Sequence, residues 1–263
     1  MSRTVAIVQA RMGSTRLPQK VLRDIVGKPL LWHMINRLKK AKLIDEIMLA
    51  TTTKEEDEPI IKLAKDNDVK SYAGSEEDVL DRYHQAARIH KVNVIARITA
   101  DCPLIDPDVV DKVVKYFLDN DFDYVSNTCV GVRVDCKPTY PDGLDTEVFS
   151  FDALERAWKE AKLPSEREHV TPYIWKHSTI FKVGCIGYDE DLSHMRWTVD
   201  YEEDLMFVRE VYKRLYRKGA IFHMKEILTL LSAHPELMDI NRGIIKNEGY
   251  FESLEKDKRW KLE

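Results

Sequence analysis

Arg11, Arg16 and Lys20 fall close together near the start of the chain, interleaved with Gly13, Ser14 and Thr15. Two guanidiniums and an ammonium in one loop suit a polyanion such as a nucleoside triphosphate. The small residues between them let the backbone approach phosphate oxygens. A carboxylate stands apart in sequence: Asp101 follows an apolar run over residues 92–98, and Pro103 fixes the chain just after it. At a strand end it would face phosphates held by the first loop and share Mg²⁺ with them. Mg²⁺ takes one or two carboxylates and fills its octahedron with waters and phosphate oxygens. The same Asp101 could instead cap a helix beginning near Asp106, and the residues alone leave both readings open. Further on, the turn Pro141-Asp142-Gly143 leads into Asp145 and Glu147. These alternate onto one strand face and would project two carboxylates towards a hydroxyl-rich acceptor.

The elements that must carry these groups follow from hydrophobic periodicity. Residues 4–9 are a short β-branched run that reads as a buried strand leading into the basic loop. Helices are predicted over 29–40, 56–67, 76–90 and 106–118, and strands over 46–50, 70–72 and 92–98. This alternation predicts a mostly parallel, Rossmann-like α/β sheet flanked by helices, whose ligands lie at the carboxyl ends of the strands. Thr51 to Thr53 end the second strand, where hydroxyls could help form a base pocket. Residues 123–150 break the pattern with short β-prone runs and are expected to form a small β-containing insertion. Helices are expected over 151–161, 165–177 (with Pro172 kinking or dividing it), 201–217 and 225–232, and strands over 180–186 and 194–199. The polar tail from Asn247 is expected to dock loosely or to contact a partner subunit, which allows a homodimer. The chain reads as one domain. A nucleotide-binding half spans about 1–122, acceptor and second metal motifs about 123–205, and C-terminal helices and tail 206–263.

Of the 263 residues, 44% are hydrophobic and 33% charged, as in a soluble globular protein. A net charge of -4 gives no electrostatic case for nucleic acid as partner. No apolar run approaches the roughly 20 residues of a membrane span. The start enters a strand almost at once, which argues against a leader peptide. Cys102, Cys129, Cys136 and Cys185 form no metal-binding spacing and are expected to be core thiols of a reducing cytoplasm. There is no Gly-x-Gly-x-x-Gly and no Gly-Lys-Ser/Thr, which excludes the dinucleotide fingerprint and the ATPase phosphate loop.

The segment Gln9-Ala10-Arg11-Met12-Gly13-Ser14-Thr15-Arg16-Leu17-Pro18-Gln19-Lys20 resembles the N-terminal signature of the cytidylyltransferases that make CMP-activated acidic sugars. Its nearest likeness is to the SpsF-like, spore-coat polysaccharide branch. The fold this implies is that of the nucleotide-diphospho-sugar transferases. The activity implied is transfer of CMP from CTP to a sugar-like acceptor, with pyrophosphate released and Mg²⁺ as cofactor. Gln9, Ala10, Arg11, Gly13, Ser14, Arg16 and Lys20 would then bind the nucleotide, with Arg11 and Lys20 also serving catalysis. The phrase Ile98-Thr99-Ala100-Asp101-Cys102-Pro103-Leu104 is similar to the family's first metal motif, which makes Asp101 a ligand. Arg196-Trp197-Thr198-Val199-Asp200 looks like the second, which makes Asp200 its partner, although Asp200 could instead cap the helix after it. Relatives making CMP-sialic acid carry another Asp where this chain has Thr198. The segment Gly74 to Tyr83 resembles a nucleotide-contacting stretch and offers Asp81 and Arg82, whose alternative is an intrahelical surface pair. The segments around Asp145, Glu147, Arg167 and His169 resemble the SpsF-like branch and would bind the acceptor. The helix opened by Pro164-Ser165 offers its N-terminus to an anion. A different nucleotide, a glycosyltransferase (for which Asp66-Asn67-Asp68 and Asp119-Asn120-Asp121 are the metal candidates) and a non-catalytic nucleotide binder are the competing readings.

Overall fold

A computed structural model describes residues 3–128 and 139–262. Strand β1 (Thr4–Gln9) is buried from Thr4 to Val8, and the basic loop follows it into a short 3₁₀ turn at Lys20–Leu22. Next come a two-stranded ribbon, β2 (Asp24–Ile25) and β3 (Lys28–Pro29), and helix α1 (Leu30–Leu38). Then β4 (Glu46–Thr52), α2 (Glu58–Asp66), β5 (Lys70–Gly74), α3 (Val79–Ile89), β6 (Val94–Thr99) and α4 (Pro107–Leu118) alternate as expected. The remainder comprises β7 (Tyr124–Ser126), β8 (Glu147–Ser150), α5 (Phe151–Glu160), α6 (Pro164–His169), α7 (Pro172–Lys176) and β9 (Val183–Cys185). Helices α8 (Glu202–Leu215), α9 (Met224–Ala233) and α10 (Glu248–Trp260) complete it.

The main sheet has the order β5-β4-β1-β6-β8-β7-β9. β8 runs antiparallel to both neighbours, and the other pairings are parallel. Alternate residues of β1 serve two cores. Ala6 and Val8 pack with Leu31, Ile35, Val110 and Val114 of α1 and α4. Val5 and Ile7 pack with Leu80, Tyr83 and Leu154 of α3 and α5. A third cluster joins Leu17, Leu30 and Leu104 to Trp197, Val199, Phe207 and Val211. It fixes the segment before α8 against the strand ends, where the candidate site lies.

Of the two outcomes expected at Pro172 the chain takes division: α6 ends at His169, Val170 adopts φ 72°, and Pro172 opens α7. Other expectations are corrected. Residues 194–199 form no strand and, among the described residues, make one isolated parallel bridge, Asp142 to Arg196. The tail does not dock loosely, because α10 packs on α6 through buried polar pairs. Ser165 donates to Asp257 from its backbone N (2.8 Å) and its hydroxyl (2.6 Å). Cys102 is a buried thiol, but Cys185 is disulfide-bonded; Cys129 and Cys136 lie outside the described residues. No helix among the described residues is long and apolar enough to cross a membrane.

Candidate active site

β1 and β6 are paired neighbours, with Gln9 opposite Thr99. The loops leaving their carboxyl ends therefore meet. Between them opens a cleft of about 710 Å³, lined by Gln9, Ala10, Arg11, Ser14, Arg16, Lys20, Arg82, Asp101 and Asp200. Lys20 bridges the two carboxylates of this cleft. Its Nζ donates to Asp101 Oδ2 (3.1 Å), Asp200 Oδ1 (2.9 Å) and the Val199 carbonyl (3.0 Å). Burial alone would lower the Lys20 pKa, but the two carboxylates more than offset it and raise it. Burial likewise disfavours charge on Asp101, yet Lys20 and a Thr99 hydrogen bond bring its pKa down to about 2. Both groups are thus ionised at neutral pH.

Neither carboxylate is a helix cap. Asp106 caps α4 by accepting from the Asp108 N at 2.8 Å. At α8 the capping acid is Asp204, which accepts from the Asp200 and Tyr201 backbone N groups at 2.9 and 3.1 Å. The Asp200 side chain is left for the cleft. Arg196 orients it, donating from Nη2 to Asp200 Oδ2 (3.0 Å) while its Nε and Nη2 grip Asp204 and Nη1 reaches Asp142 (3.1 Å). The Val199 N and Thr198 Oγ1 both donate to the Asp101 carbonyl (2.8 and 3.2 Å), which ties the two carboxylate-bearing loops together.

The basic loop is anchored by Asp57, which sequence reasoning missed. Its carboxylate accepts from the Met12 N at 2.6 Å and from the Thr52 N and hydroxyl, joining the ends of β1 and β4. Nothing in the sequence separates Asp57 from the acids beside it. Gly13 and Thr51 do not line the cleft, and Thr51 is fully buried. Arg82 is buried at the cleft wall, with Nη1 on the Ser75 carbonyl at 3.0 Å and no partner for Nε among the described residues.

Asp81 is not a cleft residue. Its Oδ1 accepts from Trp158 Nε1 at 2.8 Å and Gln85 Nε2 at 3.0 Å, so it joins α3 to α5. Arg167 is also displaced from its expected role. It forks onto Asp78, the cap of α3, and donates to the Trp158 carbonyl at 2.8 Å. The α6 N-terminus is taken by this chain's own Asp257 and is not free for an anion.

A smaller cavity of about 140 Å³ adjoins the cleft and shares Thr99 and His169 with it. Asp145, Glu147 and His169 line it, with Trp175 and Tyr250. Glu147 is already committed: Arg97 pairs with it, and Tyr124 and Thr171 each donate a hydroxyl at 2.6 Å. Among the described residues, Asp145 accepts only the Gly143 N, at 3.2 Å. Burial, then the nearby Asp142 charge, push its pKa up to about 8. Burial, then Arg97, bring His169 down to about 4, leaving a neutral imidazole. Aromatic rings beside carboxylates suit a polyhydroxylated ligand, whose C–H faces and hydroxyls need both. The Asp-x-Asp candidates of a glycosyltransferase lie at the exposed ends of α2 and α4, away from both cavities.

A family model described as cytidylyltransferase matches residues 5–234. An uncharacterized protein of Methanocaldococcus jannaschii is 39% identical over 242 residues, covering 91% of this chain and 95% of its own. The spore coat polysaccharide biosynthesis protein SpsF of Bacillus subtilis is 30% identical over 244 residues, covering 90% and 97%. Among solved structures, a cytidylyltransferase from Leptospira borgpetersenii superposes with a TM-score of 0.84 at 30% identity, covering 93% of this chain and 100% of that one.

Proposed function

The chain belongs to the cytidylyltransferase family, and from that membership we propose that it transfers CMP from CTP to a hydroxyl of a sugar-like acceptor with Mg²⁺ as cofactor. The observation that carries this reading is the convergence of Lys20, Arg16, Asp101 and Asp200 beside a separate cavity suited to a polyol. The acceptor oxygen would attack the α-phosphorus as pyrophosphate leaves. Arg11, Arg16 and Lys20 would bind the phosphates and offset their charge, so catalysis rests on placement and electrostatics. Asp145, whose raised pKa keeps its carboxyl largely protonated near neutral pH, would orient the acceptor by hydrogen bonding.

The residues fit a hard cation. Oxygens of Asp101 and Asp200 converge on a single positive group, Lys20 Nζ, and oxygen donors of this kind are those Mg²⁺ takes. Asp101 and Asp200 would hold the ion, which would act as a Lewis acid on phosphate oxygens. Calorimetric titration with each nucleoside triphosphate in Mg²⁺ tests the assignment. CTP should bind tightest, and equal affinity for all four, or tighter ATP, refutes it. Asp101→Asn and Asp200→Asn should fold normally and lose CTP-dependent pyrophosphate release. Activity near wild type at limiting Mg²⁺ removes that residue from the metal site.

A further inference from the structure

Arg16 does not face the cleft as a free cation. Its Nη1 donates to Glu248 Oε2 at 2.8 Å and its Nη2 to Asp200 Oδ1 at 3.1 Å. The guanidinium also lies over the Tyr201 ring, 5.3 Å from its centroid, and the Tyr201 hydroxyl donates to the same Glu248 oxygen. Glu248 opens α10, beyond the part of the chain that the family model matches.

α10 holds this carboxylate in place. Beyond the Ser165–Asp257 pair, Ser253 bonds His169 (2.9 Å) and Glu168 (2.8 Å), and Lys256 reaches Glu168 at 3.0 Å. Gly249, Glu252 and Lys256 of the same helix line the phosphate cleft. Arg16 lines the cleft, and Glu248 beside it already holds the Nη1 edge of the guanidinium that a phosphate would take. A carboxylate and a phosphate compete for one guanidinium fork because both offer paired anionic oxygens. Only a ligand whose charge extends to Arg16 gains by displacing Glu248.

We propose that Glu248 is a specificity-determining residue: an internal competitor for Arg16 that a triphosphate or pyrophosphate must displace and a nucleoside monophosphate need not. The inference rests on the reading of Arg16 as a ligand of the outer phosphates. Its consequence for turnover is weaker retention of pyrophosphate, since the carboxylate returns to Arg16 as that product leaves.

Calorimetry on wild type and Glu248→Gln, with CTP, inorganic pyrophosphate and CMP at fixed Mg²⁺, tests it. The amide keeps the shape and removes the charge. CTP and pyrophosphate should bind roughly threefold to thirtyfold tighter, a part of the value of one charge-assisted bond, while CMP stays within about twofold. Tyr201→Phe, which frees Glu248 of one donor, should alter the same two ligands and spare CMP. In an Arg16→Ala background the effect of Glu248→Gln should vanish, which a merely structural role would not produce. Unchanged or weaker pyrophosphate binding in Glu248→Gln overturns the proposal, as does an equal gain for CMP. If wild type binds pyrophosphate but prefers another nucleoside triphosphate, the CTP assignment falls and the pyrophosphate comparison still decides the role of Glu248.

Discussion

Glu147→Gln should unfold the protein more easily before it affects nucleotide binding. The Glu147 and Arg97 side chains are 10% and 12% exposed, so each depends on the other for charge compensation. With the carboxylate neutralised, Arg97 keeps Gln9 Oε1 at 3.2 Å, while its Nε has no partner among the described residues. Removing one member of a buried ion pair costs about 3–5 kcal/mol, because the remaining charge stays desolvated. For a chain of this size that lowers the melting temperature by roughly 6–20 °C. Differential scanning calorimetry reads it directly. The double variant Arg97→Met/Glu147→Gln should recover most of the loss, because it removes the stranded charge and keeps an oxygen for the Tyr124 and Thr171 hydroxyls. A single variant melting within about 2 °C of wild type would refute the reasoning. It would return Glu147 to the role of a direct acceptor ligand.

Three further outcomes are expected. Lys20→Ala should weaken CTP binding about tenfold to a hundredfold and CMP binding less, by loss of a charge-assisted bond; equal losses in calorimetry would place Lys20 elsewhere. Arg167→Ala should lower stability by about 1.5–3 kcal/mol through loss of its fork on Asp78, with CTP affinity within a few-fold; collapse of CTP binding in a folded variant would restore Arg167 to the site. His169 has a folded pKa of about 4, below its ordinary 6.5, so between these values the unfolded chain binds a proton that the native state does not. Stability should therefore fall as pH drops through that window. Urea midpoints at about pH 7 and about pH 5 should differ less in His169→Gln than in wild type, and an unchanged difference would exclude His169 as the source.

The strands and the cations were legible because both depend on local signals. A β-branched run followed by Arg11, Arg16 and Lys20 needs no distant partner to be read, and Asp101 follows its strand in the same way. What the sequence concealed was pairing across helices. Asp81 and Arg167 look like any exposed helix charge, and only the packing of α3 on α5 and α6 commits them to Trp158 and Asp78. The docking of α10 was missed for a similar reason. Its anchors are Ser253 and Asp257, polar side chains that hydrophobic periodicity does not register. Residues 194–199 alternate like a strand, yet among the described residues their backbone finds one bridge, at Asp142, because side chains such as Arg196 and Trp197 hold the segment instead.

The insertion of β8 between β6 and β7 bears on how the chain must fold as it is made. β6 is a central strand, but along Val94 to Arg97 its second neighbour is β8, which synthesis reaches only at Glu147. Until then the β5-β4-β1-β6 half can pair internally while an apolar edge stays open. Such an edge templates pairing with other chains. Nascent or truncated chains ending before Glu147 therefore carry an adhesive edge, and closing it is a late, long-range event in folding.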